Sequence, residues 1–164
     1  MKKISYSILL IISFIFVNGC SGYKPIFSSA NSQFQISDYS IEGDKILGNK
    51  IYSKLHKMSK SKKDDQNVRS ISLLINISKD KDATSKDSTG KILEYRITLN
   101  TNVDVKDFIT KNKILKQTFT SSLTYKTQDQ YSDTINLENK SIENLIDKTF
   151  QELFIKLIES IATK

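Results

Sequence analysis

The sequence predicts an α+β fold, a four-stranded and mostly antiparallel sheet with two helices packed on one face, in the order β-α-β-β-β-α. Three observations predict it. Apolar residues alternate at period two in several segments, as in half-buried strands. Two other segments repeat apolar residues every three or four positions, as in amphipathic helices. The 164 residues are 38% hydrophobic, which is enough for one core, and we expect a single domain over residues 33–164.

The first 19 residues have the pattern of a secretory signal peptide. Lys2 and Lys3 form a short positive region, and an unbroken apolar run follows from Ile8 to Val17. A helix that spans a bilayer needs about 20 apolar residues, so this run is too short for one. Residues 1–19 are therefore predicted to be a signal peptide rather than part of the fold.

The chain's one cysteine lies at the expected cleavage site. The run Val17-Asn18-Gly19-Cys20 resembles the bacterial lipobox, in which the cysteine thiol takes a diacylglyceryl group. After cleavage the new amino group of the cysteine is acylated as well, so the mature chain would carry three acyl chains. Each chain stabilises membrane binding by roughly 0.8 kcal/mol per buried methylene, and three together form a firm anchor. An ordinary signal followed by a free or buried cysteine is the alternative. Ser21, rather than the Asp of the inner-membrane retention signal, follows the cysteine, which favours the periplasmic side of the outer membrane.

A tether and a first strand are expected next. Residues 20–32 include Gly22, Pro25 and several serines, a composition typical of a linker. Loose alternation from Phe34 to Ile41 predicts a strand.

The first helix is predicted over Asp44–Met58. Its apolar stripe recurs at steps of four, four and three, and Asp44 is a suitable N-terminal cap. His56 lies off the stripe and is expected at the surface. The stripe consists of Leu47, Ile51, Leu55 and Met58.

Three further strands are predicted. Val68–Ser78 alternates at period two, whereas Lys79–Gly90 is polar throughout and is expected to be a mobile loop. Strict alternation over residues 91–105 and again over 114–126 predicts a long hairpin. Its polar faces indicate an antiparallel sheet with one side in water.

The last helix carries the widest apolar stripe. After a polar loop over Gln128–Thr134, large apolar residues recur from Leu137 to Ile161, at steps of three and four after Ile142. Such a stripe is wide enough to cover a sheet, and its burial would make this helix the largest packing contribution.

The composition excludes several classes of function. A single Cys excludes a disulfide framework and a Cys-based zinc site. A single His, His56, makes a Ser-His-Asp triad or a His-based metal centre hard to assemble. We therefore expect no enzyme activity, no cofactor and no metal. The net charge of +7 comes almost entirely from Lys, without the concentration of Arg and aromatics typical of nucleic-acid binding, so no nucleic-acid partner is expected.

Three motifs carry a family resemblance. Gly19–Phe27 resembles the start Gly-Cys-Gly-(Tyr/Phe)-(Arg/Lys)-Pro-Leu-Tyr, with Ser21 as an insertion. Gly90–Tyr95 resembles a glycine turn followed by a strand that opens with Glu-Tyr. Phe119–Tyr125 then precedes a polar loop and a long final helix. In this order and spacing, the chain resembles the LPS-assembly lipoprotein family LptE, particularly its alphaproteobacterial branch.

The resemblance implies an α+β lipoprotein that plugs and helps assemble the LPS-transport β-barrel LptD. It also implies LPS binding through basic residues near loop ends. The family's basic positions correspond to Ser88 and to a site near Thr134, so the first candidates are Lys86 and Lys91, which flank Ser88. Lys113 and Lys116, at the second hairpin end, are the weaker candidates.

Other functions stay open. An accessory lipoprotein of another envelope lipid-transport or barrel-assembly complex has the same sequence features, and so does an inert structural lipoprotein. A lipid-tethered hydrolase is disfavoured, because His56 is alone and no glycine pattern of a nucleophile elbow is present.

Overall fold

Four strands form one sheet in the order β1-β2-β3-β4, and two helices cover one of its faces. The computed structural model describes residues 34–59 and 68–163. The predicted signal peptide (1–19), Cys20 and the tether (20–32) lie outside the described residues. The elements in chain order are β1 (Phe34–Gly43), α1 (Lys45–Met58), β2 (Arg69–Lys86), β3 (Ile92–Asp107), β4 (Lys113–Lys126) and α2 (Tyr131–Ala162).

The strand pairing confirms the predicted fold class. β2 pairs with β3 and β3 with β4, both antiparallel, and the predicted hairpin over 91–105 and 114–126 is present. β1 pairs with β2 in parallel. A parallel pair needs a crossover connection between its strands, and α1 lies in that connection.

Strand alternation builds the core. The odd-numbered residues from Ile71 to Ile77 in β2 and from Ile97 to Val105 in β3 are buried under the helices, while their even-numbered neighbours lie on the open face. α2 contributes a stripe that packs mainly on β4, and α1 packs on β1 and β2. The largest fully buried side chains are Phe34, Phe154, Ile51, Leu55, Ile71, Ile75, Ile77, Ile97, Leu99, Leu145, Ile146 and Leu153.

The turn from β1 into α1 depends on two glycines and one cap. Gly43 has a φ of +74°, a conformation that side chains disfavour. The Asp44 side chain accepts hydrogen bonds from the first amides of α1, those of Ile46 and Leu47, at 3.1 Å each. A Cβ on Gly48 would lie 2.4 Å from Cγ2 of Ile41, so only glycine lets α1 approach β1 this closely.

The outer face of α1 is polar, as predicted. His56 is exposed, with its ring beside that of Tyr52 at 5.6 Å. Lys54 forms an ion pair with Asp147 of α2 at 2.6 Å. Exposed pairs of this kind contribute little, so apolar contacts hold the helices to the sheet.

The prediction of a mobile loop over Lys79–Gly90 is wrong for most of that range. Residues 79–86 continue β2 and pair with β3, for example Lys81 with Ile97 and Asp82 with Arg96. This extension reaches past the buried core, so no apolar alternation is needed to form it. Backbone pairing with an already ordered strand supplies the structure instead.

The predicted loop over Gln128–Thr134 is shorter than expected, because α2 begins at Tyr131. Gln130, the residue before the helix, makes no side-chain cap. Thr134 is buried instead, and its hydroxyl accepts a hydrogen bond from the Gln128 amide at 2.8 Å. The first turn is therefore held by a polar contact that apolar periodicity does not show.

The sheet has two distinct ends. The Gly90 end comprises the β2–β3 turn (87–91), the connection from β4 to α2 (127–130) and the first turn of α2. The Phe108 end comprises the β3–β4 turn (108–112), the first residues of β1 and β2, and the end of α2. β3 joins the two ends and spans roughly 50 Å at about 3.3 Å per residue. Neither described helix combines the length and apolar character needed to cross a bilayer.

Candidate functional site at the Gly90 end

Asp87 shapes the turn at the Gly90 end. Its carboxylate accepts hydrogen bonds from the amides of Thr89 and Lys91 at 2.9 and 3.0 Å, and from the Thr89 hydroxyl at 2.7 Å. The hydrogen bond from the Thr89 side chain lowers the pKa of Asp87. Gly90 completes the turn with a φ of +87°. This turn places Lys86 and Lys91 on its two sides.

A lysine, a glutamate and two tyrosines form a cluster beside this turn. Nζ of Lys81 lies 2.5 Å from Oε2 of Glu138 in α2, and the Tyr125 hydroxyl donates to the same oxygen at 2.9 Å. The Lys81 ammonium also lies 4.3 Å from the centre of the Tyr95 ring. The rings of Tyr95 and Tyr125 stack at 5.9 Å. The cluster ties the extension of β2 to the first turns of α2.

Burial and charge act in opposite directions on this cluster. Burial alone would lower the pKa of Lys81, but hydrogen bonds to Glu138 and Tyr125 outweigh it and raise the pKa. Burial would raise the pKa of Glu138, yet the hydrogen bond from Lys81 and that from Tyr125 bring it below its ordinary value. Burial raises the pKa of Tyr125. Lys81 and Glu138 are therefore a charged pair at neutral pH.

A surface depression of about 430 Å³ opens next to the cluster. Lys81 and Lys91 both line it, together with the aromatic rings of Tyr95 and Tyr131. Tyr131 is 79% exposed. The depression thus combines ammonium groups with aromatic surface, a combination suited to an amphipathic ligand that carries negative charge.

The candidate lysines lie in different parts of the sheet. Lys86 and Lys91 lie at the Gly90 end, on either side of the same turn. Lys113 is the first residue of β4, at the Phe108 end. Lys116 lies on the open face, opposite Asp104 of β3. One ligand headgroup therefore cannot contact Lys91 and Lys113 together.

Sequence reasoning missed Lys81, Tyr125 and Glu138 as neighbours. The alternation of β2 could have indicated the position of Lys81. Like Ile75 and Ile77, Lys81 is odd-numbered, so continued alternation places it on the face that the helices cover. The contact with Glu138 depends on how α2 packs, which alternation alone does not specify.

The open face of the sheet is a second candidate surface. Side-chain hydrogen bonds join its strands: Thr120 donates to Asn100 at 2.9 Å, and Thr118 to Asn102 at 2.5 Å. Asn100 in turn donates to Asp80 at 3.3 Å. This polar ladder covers β3 and its neighbours. No group of three or more His, Cys, Asp or Glu that could hold a metal ion occurs within residues 34–59 and 68–163.

Comparison with solved structures shows that the fold is shared with bacterial lipoproteins. An uncharacterized lipoprotein B from Nitrosomonas europaea matches with a TM-score of 0.56 at 12% identity, covering 81% of this chain and 88% of that one. A minor lipoprotein from Acinetobacter baumannii matches with a TM-score of 0.53 at 14% identity, covering 78% and 92%.

A third solved structure shares the fold. A Xanthomonas campestris protein of family DUF330 matches with a TM-score of 0.51 at 10% identity, over 84% of this chain and 89% of that one. No protein-family model matches the sequence, and no curated protein matches it. The likenesses therefore establish the architecture of this chain.

Proposed function

We propose that this chain is an outer-membrane lipoprotein that plugs and helps assemble the LPS-transport β-barrel LptD, and so takes part in LPS delivery to the cell surface. It is anchored on the periplasmic side through Cys20. The lipobox-like run Val17-Asn18-Gly19-Cys20 supports the anchor. The shared fold of solved lipoproteins supports an envelope lipoprotein.

The polar open face of the sheet is the observation that carries the plug proposal. The interiors of outer-membrane barrels are polar and hydrated. A soluble body that enters such a lumen needs a rigid surface that stays hydrated, and the ladder of Asn100, Asn102, Thr118 and Thr120 provides one. The other face is filled by helices, so the core stays closed while the sheet face meets the barrel wall.

The position of the anchor fits this arrangement. The chain enters the sheet at Phe34, which lies at the Phe108 end. The Gly90 end lies roughly 50 Å farther along the strands. The chain that follows Cys20 therefore joins the described body at the Phe108 end, and the Gly90 end lies at the opposite end of the strands.

LPS binding is assigned in this proposal to the Gly90 end. Lys86 and Lys91 present ammonium groups that can meet phosphates and carboxylates as point charges. Lys81 is held by Glu138 and serves to position the turn. The proposal requires no catalysed reaction and no cofactor.

The plug is tested by photocrosslinking in cells. A photoreactive side chain at Ser122, which is exposed on the open face opposite Thr98, is expected to crosslink to LptD. A probe at the exposed Lys148 of α2 is the matched control and is expected to give less product. Recovery of no barrel protein from Ser122, with the barrel folded, would count against the plug.

The identity of the crosslinked protein also tests the main alternative. A member of another envelope lipid-transport or barrel-assembly complex would make this chain an accessory lipoprotein of that complex. The shared fold by itself does not choose between the two functions, because it is a likeness of architecture alone. Depletion in the native host, scoring surface LPS and LptD folding together, distinguishes the two functions.

The LPS site is tested by lysine variants at the two ends. Lys86→Gln combined with Lys91→Gln is expected to lower LPS retention by the purified protein, because both charges lie at one turn. Lys113→Gln is the control at the other end and is expected to retain LPS. Equal loss in both variants would contradict a site confined to the Gly90 end.

A further inference from the structure

We infer that the β3–β4 turn at the Phe108 end is a second membrane contact, in which Phe108 and Ile109 enter the lipid surface beside the acyl anchor. This inference rests on the proposed anchoring at Cys20. It adds an orientation to that function: the body meets the bilayer with its Phe108 end rather than hanging freely from a linker.

The turn exposes two apolar side chains in succession. Phe108 is 38% exposed and Ile109 is 79% exposed. Among the described residues, these are the only large exposed hydrophobics that are adjacent in sequence. Turn positions generally favour Gly, Asn, Asp, Ser and Pro. The turn conformation therefore does not require the apolar side chains of Phe108 and Ile109. Their surface is available for a partner.

The turn is held in one conformation. The Asp107 carboxylate accepts hydrogen bonds from the amides of Ile109 and Thr110 at 3.0 and 2.9 Å. The Phe108 amide donates to the Ser70 carbonyl at 2.9 Å, which ties the turn to β2. Because the backbone is fixed, the apolar side chains point outward before any partner binds, and little conformational entropy is lost on contact.

Lysines surround the apolar pair. Nζ of Lys111 lies 4.6 Å from the centre of the Phe108 ring, and Lys106 and Lys113 flank the turn in β3 and β4. Apolar and aromatic side chains with lysines beside them suit the boundary between acyl chains and headgroups. There, lysine stems lie along apolar surface while the ammonium groups reach anionic headgroups.

The position of the turn selects lipid as the occupant. Phe34, the first residue of β1, pairs with Arg69 of β2, and the Arg69 guanidinium bonds Asp107 at 3.0 Å. Two strand spacings of about 4.8 Å place the chain's entry point roughly 10 Å from the turn. A chain lipidated at Cys20 would therefore join the body beside this turn, which brings the turn within reach of the bilayer.

The absence of tryptophan from the sequence allows a direct test. Ile109→Trp and Ile46→Trp each introduce a single tryptophan at a highly exposed site, 79% and 73% exposed, and Ile46 lies in the first turn of α1, beyond the far end of β1 from Phe34. Each processed full-length protein is reconstituted into phosphatidylethanolamine–phosphatidylglycerol vesicles with brominated acyl chains. We expect blue-shifted, strongly quenched emission from position 109, and unshifted, unquenched emission from position 46.

Phe108→Trp repeats the test at the neighbouring residue and guards against a local folding defect in the first variant. Unquenched emission from both positions 108 and 109 in an acylated, vesicle-bound chain would overturn the membrane contact alone. Blue-shifted but unquenched emission would also overturn it, because it would indicate burial against protein. An unacylated chain that stays off the vesicles, as judged by intact mass, would overturn both this inference and the proposed anchor.

Discussion

The two ends of the sheet use the same device to build a turn but present opposite surfaces. At the Gly90 end, Asp87 accepts hydrogen bonds from the amides of Thr89 and Lys91. At the Phe108 end, Asp107 does the same for Ile109 and Thr110. The aspartate fixes the backbone in both turns, so the remaining side chains are free to differ.

That freedom is used differently at each end. The Gly90 end carries lysines and tyrosines around a depression, whereas the Phe108 end carries exposed Phe108 and Ile109. Underneath, the Phe108 end is more fully packed, with Phe34 and Phe154 completely buried and 6.4 Å apart. The body is therefore polarised along its strands, with a packed end where the chain enters and a charged end opposite.

The largest expected effect comes from the packed end. Phe154→Ala removes a fully buried ring and should lower the free energy of unfolding by about 3 to 5 kcal/mol. Tyr95→Ala, at the Gly90 end, is the matched control and should lower it clearly less, because Tyr95 is only partly buried. Urea unfolding followed by circular dichroism measures both. Equal losses would show that the two ends are packed alike.

A smaller effect is expected from the two turn aspartates. Asp107→Ala leaves the half-buried Arg69 guanidinium and the amides of Ile109 and Thr110 without their acceptor, and should lower the free energy of unfolding by about 1 to 3 kcal/mol. Asp87→Ala should have less effect, because Asp87 is less buried than Asp107 and its carboxylate accepts hydrogen bonds from Thr89 and Lys91 of its own turn rather than from a guanidinium. The same urea titration compares the two variants. A larger loss of unfolding free energy for Asp87→Ala would contradict the prediction that Asp107 stabilises its turn more.

Acid should weaken the Phe108 end in a defined range. Hydrogen bonds from the Thr110 amide and from Arg69 lower the pKa of Asp107 from 3.8 to about 2. The unfolded chain therefore takes up this proton first, so the stabilisation is complete above pH 3.8 and is lost as pH falls towards 2. Unfolding by urea at several pH values should show a steeper acid loss for the native protein than for Asp107→Ala. If the unfolding free energies of the two proteins fell in parallel as the pH was lowered, Asp107 would not be the source of the acid sensitivity.

How much could be predicted from the sequence depended on the type of signal. Period-two alternation in residues 91–105 and the stripe after Ile142 gave the strands, the last helix and the covered face, because apolar burial drives both patterns. The extension of β2 over residues 79–86 carried no such signal, since it is polar on both faces and is ordered by pairing with β3.

The candidate site was only partly predictable for a related reason. Lys86 and Lys91 follow from the glycine turn, which is a local feature. The contact of Lys81 with Glu138 joins residues 57 positions apart. That contact is a consequence of packing rather than of local pattern. The separation of Lys113 from Lys91, in contrast, follows from the predicted hairpin.

The anchor at Cys20 is the claim on which the orientation of the two ends depends. Intact-mass and amino-terminal mass spectrometry of the protein purified from its native membrane tests it most directly. The account predicts a chain that begins at Cys20 and carries a diacylglyceryl group, with Cys20→Ala unprocessed and unacylated. A mature chain that begins beyond position 20 with a free amino group would contradict it.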